Sequence, residues 1–561
     1  MPGPPSHRPR PSRISGQRTP RPAAAPKRRG RPLQLPDDPS PMRGAGFDAA
    51  ARTAWLISTS RSLSGDPQHA QRAGFVEALR ECGVAADPTR LSRWETGAQA
   101  VPAKALLGYE RVLGLPEVSL LAAQRGLLRS SDPAAPNPDP VQLAALDVPD
   151  DRFAARLLER LCEPSERLHG GDWMRLALEL TRFEMVLLPR TTWDTLCRRL
   201  VNELARTTGP DRLRRYEAAV TLITHPIAQR HVVRALGEWL TEPAVQVVSP
   251  LLPLLQHVPD EQASKLVLRL LDSDNSAISH GAVQVAAAKS ARGHFRGGAL
   301  ALLEQRAIRE LLTPQGQSGI DLLDLVAHLP AASHQTVIET VRDAQTRGRL
   351  EHARDTRCLL PADVARTLSR NIAQRAQAVT PSPYAAEPDQ LLQRLVREAL
   401  FHVHGSRRAM AVHLLSASPY RDAVAEGCLS LATGESHFVS ARAWEAVWLL
   451  GVGSRRAEVA AMAGDTQLAW VQRRALTTLG MVGEPLSPTE ARQVADVARR
   501  TQHTGVRSAA LMALGNGAPS HLHQMDSLPP ADRALAAWWL GVGPALRDAD
   551  AGEAEDQTDA G

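Results

Sequence analysis

Aromatic side chains are scarce in this chain: Phe, Tyr and Trp make up 4% of 561 residues, so aliphatic residues and alanine have to build the core. Apolar residues still reach 43%, enough for a sizeable buried interior. Long hydrophobic runs are missing. The richest stretch, Val245 to Val258, is interrupted by Pro250 and Pro253, and nothing approaches the run of about twenty apolar residues that a membrane helix needs. No membrane span is expected. The five cysteines, Cys82, Cys162, Cys197, Cys358 and Cys428, are odd in number, far apart and without a CxxC pair. That fits reduced thiols in a cytoplasm better than disulfides or zinc. The basic first residues lead into neither an apolar stretch nor a small-residue cleavage site, so a secretory signal is not expected. Lysine is nearly absent, with Lys27, Lys104, Lys265 and Lys289 among 66 Lys and Arg residues. Arginine for lysine, with abundant Ala, Gly and Pro, is the usage of a GC-rich bacterial genome. Catalytic signatures are lacking too: there is no GxxxxGKS/T, HExxH or GxSxG, and no acidic cluster with metal-ligand spacing. Neither an enzyme nor a cofactor is expected.

What is present is unevenly placed. Residues 1–45 hold ten Arg or Lys against two Asp, residues 46–130 ten basic against eight acidic, and the remainder is net acidic. The basic character therefore sits at the N-terminal end, where a polyanion would be met. Twelve prolines and few large apolar residues in 1–45 predict a disordered basic tail. Residues 46–130 read as a small domain of short amphipathic helices, with helices near Phe47–Ser62 and Arg72–Cys82. Pro- and Ser-rich positions 131–140 read as a linker. Helical domains follow at 141–378 and 389–546, divided by a second linker at 379–388, and an acidic tail closes the chain at 547–561.

The C-terminal part repeats a pattern of alanine, leucine four positions on, and glycine one further. It occurs at Ala446/Leu450/Gly451, Ala475/Leu479/Gly480, Ala510/Leu514/Gly515 and Ala536/Leu540/Gly541, with Ala411/Leu415/Ser416 as a variant. Alanine admits a neighbouring helix, leucine fills the seam, and glycine is expected to supply a left-handed cap. Units that cannot bury their faces alone must stack. The pattern resembles HEAT-type helical repeats, although the intervals of 29, 35 and 26 residues between glycines leave an irregular helical bundle as the alternative. The expected class is all-α: a small helix-turn-helix domain followed by a long helical-repeat solenoid or bundle.

The most informative string is Asp87-Pro88-Thr89-Arg90-Leu91-Ser92-Arg93-Trp94-Glu95-Thr96-Gly97. Asp87 suits an N-cap, Pro88 the first helical position, and Gly97 the end. Leu91 and Trp94 share a core face, which leaves Thr89, Arg90 and Arg93 pointing elsewhere. Pro102 opens a further helix that stops at Gly114. This stretch resembles the Cro/repressor (XRE) helix-turn-helix family, in which a Ser-Arg-Trp/Ile-Glu-x-Gly string ends the recognition helix. Two departures stand out: Gly83 and Leu91 lie eight positions apart where the family usually has six, and Ala78-Leu79 replaces the family's Leu-Ala order.

The resemblance implies double-stranded DNA as partner. Thr89, Arg90 and Arg93 would face the major groove, and Ser92, Gln99 and Lys104 the phosphates. Glu95 is expected to brace the following loop. In the tail, Arg29-Gly30-Arg31-Pro32 is similar to an AT-hook, a minor-groove contact. His402-x-His404 is read as incidental, because residues two apart on a helix diverge, and Trp444, Trp448 and Trp539 as core. The expectation is a cytoplasmic, nucleoid-associated transcription regulator, active as a homodimer, whose helical domain senses a protein or small-molecule effector. The alternative is a helical-repeat scaffold whose helix-turn-helix module does not bind DNA.

Overall fold

The computed structural model describes residues 35–44, 46–131, 151–163, 166–182, 185–242, 245–247, 251–311, 318–380, 388–464 and 468–548. Most of the basic tail with its Arg29, Gly30, Arg31 and Pro32, linker positions 132–140 and 381–387, and the acidic end from 549 lie outside the described residues. The class is all-α: among the described residues, β pairing is limited to isolated bridges at Thr207–Leu546 and Cys358–His402. No described helix is long and apolar enough to cross a membrane.

Six helices open the fold: α1 (Ala49–Ser62), α2 (Pro67–Ala70), α3 (Arg72–Glu81), α4 (Pro88–Glu95), α5 (Ala103–Leu113) and α6 (Ser119–Ser131). The short α2 is not predicted by periodicity; it starts because Asp66 caps the Gln68 amide and Pro67 takes the first position. Further on, helices pair through short connections. Gln390–Phe401 packs on Gly405–Ser416, Arg421–Ala432 on His437–Leu450, Arg456–Gly464 on Ala469–Met481, and Pro488–Arg500 on Thr504–Gly517. The second helices of successive pairs stack on one another, as a helical-repeat array requires. Ala411, Leu415, Ala446, Leu450, Ala475, Leu479, Ala510 and Leu514 lie buried in that seam.

The glycines of the repeat do something other than expected. Gly451 ends its helix with φ 96°, but Gly480, Gly515 and Gly541 lie inside helices with negative φ. A Cβ on Gly480 would stand 2.9 Å from the Ala513 backbone, and one on Gly515 2.4 Å from the Trp539 ring. Close approach of the next helix, not a left-handed cap, is what demands glycine at these two positions.

Composition predicts a small domain moving on a linker, whereas the described residues from Leu35 onward form one compact unit. The reason is α1, of whose 14 residues 13 are buried. One side of it packs on α4, α5 and α6. From the other, the Trp55 indole donates to Asp389 at 2.8 Å, and the Arg52 guanidinium donates to Asp38 at 2.7 Å and to Glu398 at 2.9 Å. Asp38 belongs to the segment that composition assigns to the disordered tail. Residues 38–44 and Gly46 are instead clamped: Arg407 donates to the carbonyls of Gly44 and Gly46 and to Glu398, while Arg394 reaches Ser40 at 2.8 Å. At the far end Asp548, expected in the acidic tail, pairs with Arg214 and Arg215.

Burial alone would raise the Glu398 carboxyl, but Arg52 and Arg407 outweigh it and hold the group far below its ordinary value of 4.5. Its contribution to stability is therefore complete above pH 4.5 and is lost as the pH falls. Glu398→Gln leaves Arg52 and Arg394 with Asp38 as their remaining carboxylate and Arg407 with backbone carbonyls alone. Urea denaturation at neutral pH is expected to show a loss of about 3–5 kcal/mol, with a flatter acid limb than the wild type. An unchanged midpoint would mean that the network is not under tension from its neighbours.

Candidate nucleic-acid interface

Helix α4 begins as its local sequence dictates. Asp87 Oδ1 accepts from the amides of Thr89 and Arg90 at 2.8 and 2.9 Å, and Pro88 needs no partner at the first position. Leu91 and Trp94 turn into the core and are buried. Thr89, Arg90 and Arg93 are exposed, Ser92 is half-buried beside them, and Gln99 and Lys104 are exposed on the following loop and on α5. Of the six candidate residues, Thr89, Arg90, Ser92 and Arg93 thus lie on α4, Gln99 on the loop that follows it and Lys104 on α5. Arg93 and Lys104 make no side-chain hydrogen bond or ion pair among the described residues. Arg90 is different: its Nη1 donates to the Ala85 carbonyl at 2.6 Å, so it also braces the loop before its own helix.

That loop carries the longer spacing by which the sequence departs from the helix-turn-helix pattern; the other departure, Ala78-Leu79, lies within α3. Gly83 turns the chain with φ 77°, and Val84 and Ala86 then dip into the core. Val84 sits over Gly108, where an added Cβ would meet Val84 Cγ2 at 2.5 Å. Arg80 Nε donates to the Ala86 carbonyl at 2.8 Å. The longer turn is therefore anchored from α3, α4 and α5 together.

Glu95 does not brace the loop that follows it. It is buried and forms a two-pronged pair with Arg61 of α1, with Nη2 to Oε2 at 3.0 Å. Arg72 approaches Oε2 at 3.3 Å and the Tyr109 hydroxyl donates to Oε1 at 3.4 Å. Arg61 Nη1 also donates to the carbonyls of His69 and Ala70. The C-terminal end of α4 is thereby tied to α1, to the start of α3 and to α5. Sequence reasoning missed Arg61 because nothing local distinguishes an arginine bound for the core among the Ser and Thr residues of α1.

Charge follows from these roles. Between Val84 and Lys104 the acids are Asp87, which caps α4, and Glu95, which is buried against Arg61. Arg90, Arg93 and Lys104 are exposed. The exposed charges of that stretch are accordingly positive.

Elsewhere, His402 and His404 do not diverge on a helix as expected. They lie in the junction between Gln390–Phe401 and Gly405–Ser416, with ring centroids 5.3 Å apart, and His328 lies 4.4 Å from His404. His402 is within hydrogen-bonding distance of the Met42 carbonyl (3.0 Å) and accepts from the His404 amide, so its ring nitrogens are already engaged. Among the described residues no group of three His, Cys, Asp or Glu is arranged to hold a metal ion. Trp444 and Trp539 are core, while Trp448 is only half-buried.

No family model and no curated protein matches the chain. A solved structure of an engineered protein is similar at 14% identity and a TM-score of 0.21, over 70% of this chain and 98% of that one, too slight a likeness to bear on function.

Arg61→Met would leave the Glu95 carboxylate buried with Arg72 and Tyr109 alone. Stranding one member of a buried pair costs about 3–5 kcal/mol. Hydrogen exchange should therefore show faster opening of the amides in α4 and the 96–102 loop, while the helices beyond 405 keep their protection. Equal protection in α4 would show that the Leu91 and Trp94 contacts suffice to hold the helix.

Proposed function

We propose that this chain is a sequence-specific DNA-binding transcription regulator. The observation that carries this is the exposed charge between Val84 and Lys104: Arg90, Arg93 and Lys104 are exposed, while the acids of the same stretch are a cap and a buried partner. A duplex demands an uncompensated positive surface on an element that fits the major groove. Thr89 and Arg93 lie one turn apart on that side and are suited to base edges, Arg93 above all, because a guanidinium matches the O6 and N7 of guanine together. Arg90 keeps Nε and Nη2 for the same purpose. Ser92, Gln99 and Lys104 are suited to phosphates. Arg29, Gly30, Arg31 and Pro32 add a minor-groove contact on sequence grounds alone.

The repeat body supplies the remaining roles in this proposal: pairing of two copies and response to an effector. A head fixed to its body through Arg52 and Trp55 cannot swing to find its half-site. Pairing through the body therefore sets one spacing between the two α4 helices, and with it one spacing between half-sites.

Genome-wide immunoprecipitation of the tagged chain yields the site. On that site Arg93→Ala is expected to weaken binding by about 1–3 kcal/mol and to relax preference at one base pair. Fluorescence titration against the site and its single-base variants decides it. Unchanged affinity with unchanged preference would remove α4 from the groove and leave the repeat array as an interaction scaffold.

A further inference from the structure

Where α6 meets the body there is a cavity of about 200 Å³. It exceeds the roughly 150 Å³ that holds a benzene ring and falls short of the about 300 Å³ at which drug-sized pockets begin. Arg129 and Ser130 of α6 line one side, and Met410, Val412, Trp448 and Leu449 give it apolar walls.

Its unusual feature is Arg212. The other strongly buried arginines of the body face carboxylates: Arg214 and Arg215 meet Asp548, Arg407 meets Glu398, Arg442 meets Asp324 and Arg507 meets Asp532. Arg212 is 9% exposed and lines the cavity, with its guanidinium 4.6 Å from the Trp448 ring. Among the described residues no acceptor takes a hydrogen bond from it. A buried cation left without a counter-charge is costly, and folds rarely tolerate one without a use for it.

The charges around it do not supply the missing partner. Arg129 is matched by Glu217, and Arg408 and Arg442 by Asp324 and Glu445. Arg292, on the same cavity, uses Nη1 on the Gln256 carbonyl at 2.6 Å and meets no carboxylate. His413 adds no positive charge at neutral pH, because burial, with Arg212 and Arg129 nearby, pushes it down to about 3. Among the described residues, two guanidinium charges therefore remain unmatched at one apolar-walled cavity.

We propose that this cavity binds a small flat organic carboxylate, its anionic end held by Arg212 and Arg292 and its ring against Trp448, Met410 and Val412. The guanidinium fork matches a carboxylate in two parallel hydrogen bonds, and the volume admits about one ring with a short substituent. Because α6 also packs on α1 and α5, the ligand touches the same helix that supports the head. That this binding regulates DNA contact rests on the function proposed above; the binding itself does not.

The test uses the full chain without DNA, titrated calorimetrically with benzoate, salicylate and indole-3-carboxylate and with their carboxamides, and Trp fluorescence as a second readout. The carboxylates are expected to bind, each at least about ten-fold tighter than its amide. Arg212→Met keeps a long apolar stem beside Trp448 and should bring carboxylate affinity down to that of the amide. Since it removes an unmatched buried charge, it should also melt no lower than the wild type. Absence of binding by all three carboxylates up to about 1 mM, equal affinity for acids and amides, or wild-type affinity in Arg212→Met overturns the proposal. So does a marked loss of stability in Arg212→Met, which would reveal a structural partner for the guanidinium. Failure of the chain to bind DNA leaves every one of these outcomes unaltered.

Discussion

Helix α1 turns almost nothing toward water, and the two arginines it carries into the interior are matched to carboxylates on opposite neighbours. Arg52, near its start, meets Asp38 and Glu398; Arg61, near its end, meets Glu95. Neither guanidinium has an alternative partner in solvent, so each fixes the helix it touches as firmly as it is itself fixed. The position of α4 relative to the repeat array is a consequence. Glu95 holds α4 to α1, Glu398 and Asp389 hold α1 to Gln390–Phe401, and the 38–44 segment is caught in the second of these contacts.

Local signals were legible because they act locally. Asp87 and Pro88 open α4, Pro102 precedes α5, and Gly114 closes α5 in the left-handed region at φ 62°, as the sequence predicts. The all-α class was legible for the same reason, since three- and four-residue spacing persists along nearly the whole chain. What escaped depended on distance. Arg61 finds Glu95 34 residues away and Arg52 finds Glu398 346 residues away, and neither pairing leaves a trace in spacing. Helix α1 lacks the one-sided apolar pattern of a surface helix because it is buried on both sides. Glycine in the repeats was misread because one residue serves two purposes. Positive φ and a bare Cα look identical in sequence, and Gly480 and Gly515 need the second.

The candidate site divides along the same line. That Thr89, Arg90 and Arg93 would be exposed followed from the helical period set against Leu91 and Trp94. That Arg90 would also hold the Ala85 carbonyl did not, because the longer turn after Gly83 exists only once Val84 is seated over Gly108. A side chain with such a structural bond carries both roles, so a loss on mutating Arg90 mixes loop order with contact. Arg93 has no such tie and is the cleaner probe of the surface. Arg212 was invisible to sequence for a related reason: whether an arginine has a counter-charge is a property of the assembled interior.

A fixed head has a thermodynamic consequence for any effector. A ligand moves an equilibrium only by its difference in affinity between two states, and the two states here cannot differ by free rotation about a tether. Under the function proposed above, they would differ in how α1 and α6 seat between head and body. Both helices are two-sided: α1 bridges α4 and Gln390–Phe401, and α6 bridges α5 and the body helices Arg212–Ile223 and Gly405–Ser416. Arg129 of α6 is bound to Glu217 of the body and faces the cavity that holds Arg212. A carboxylate placed there would neutralise the unmatched charge in the seated arrangement and gain nothing comparable where α6 has moved away. On that account the proposed ligand would favour the seated head, and its absence would lower the cost of displacing α6.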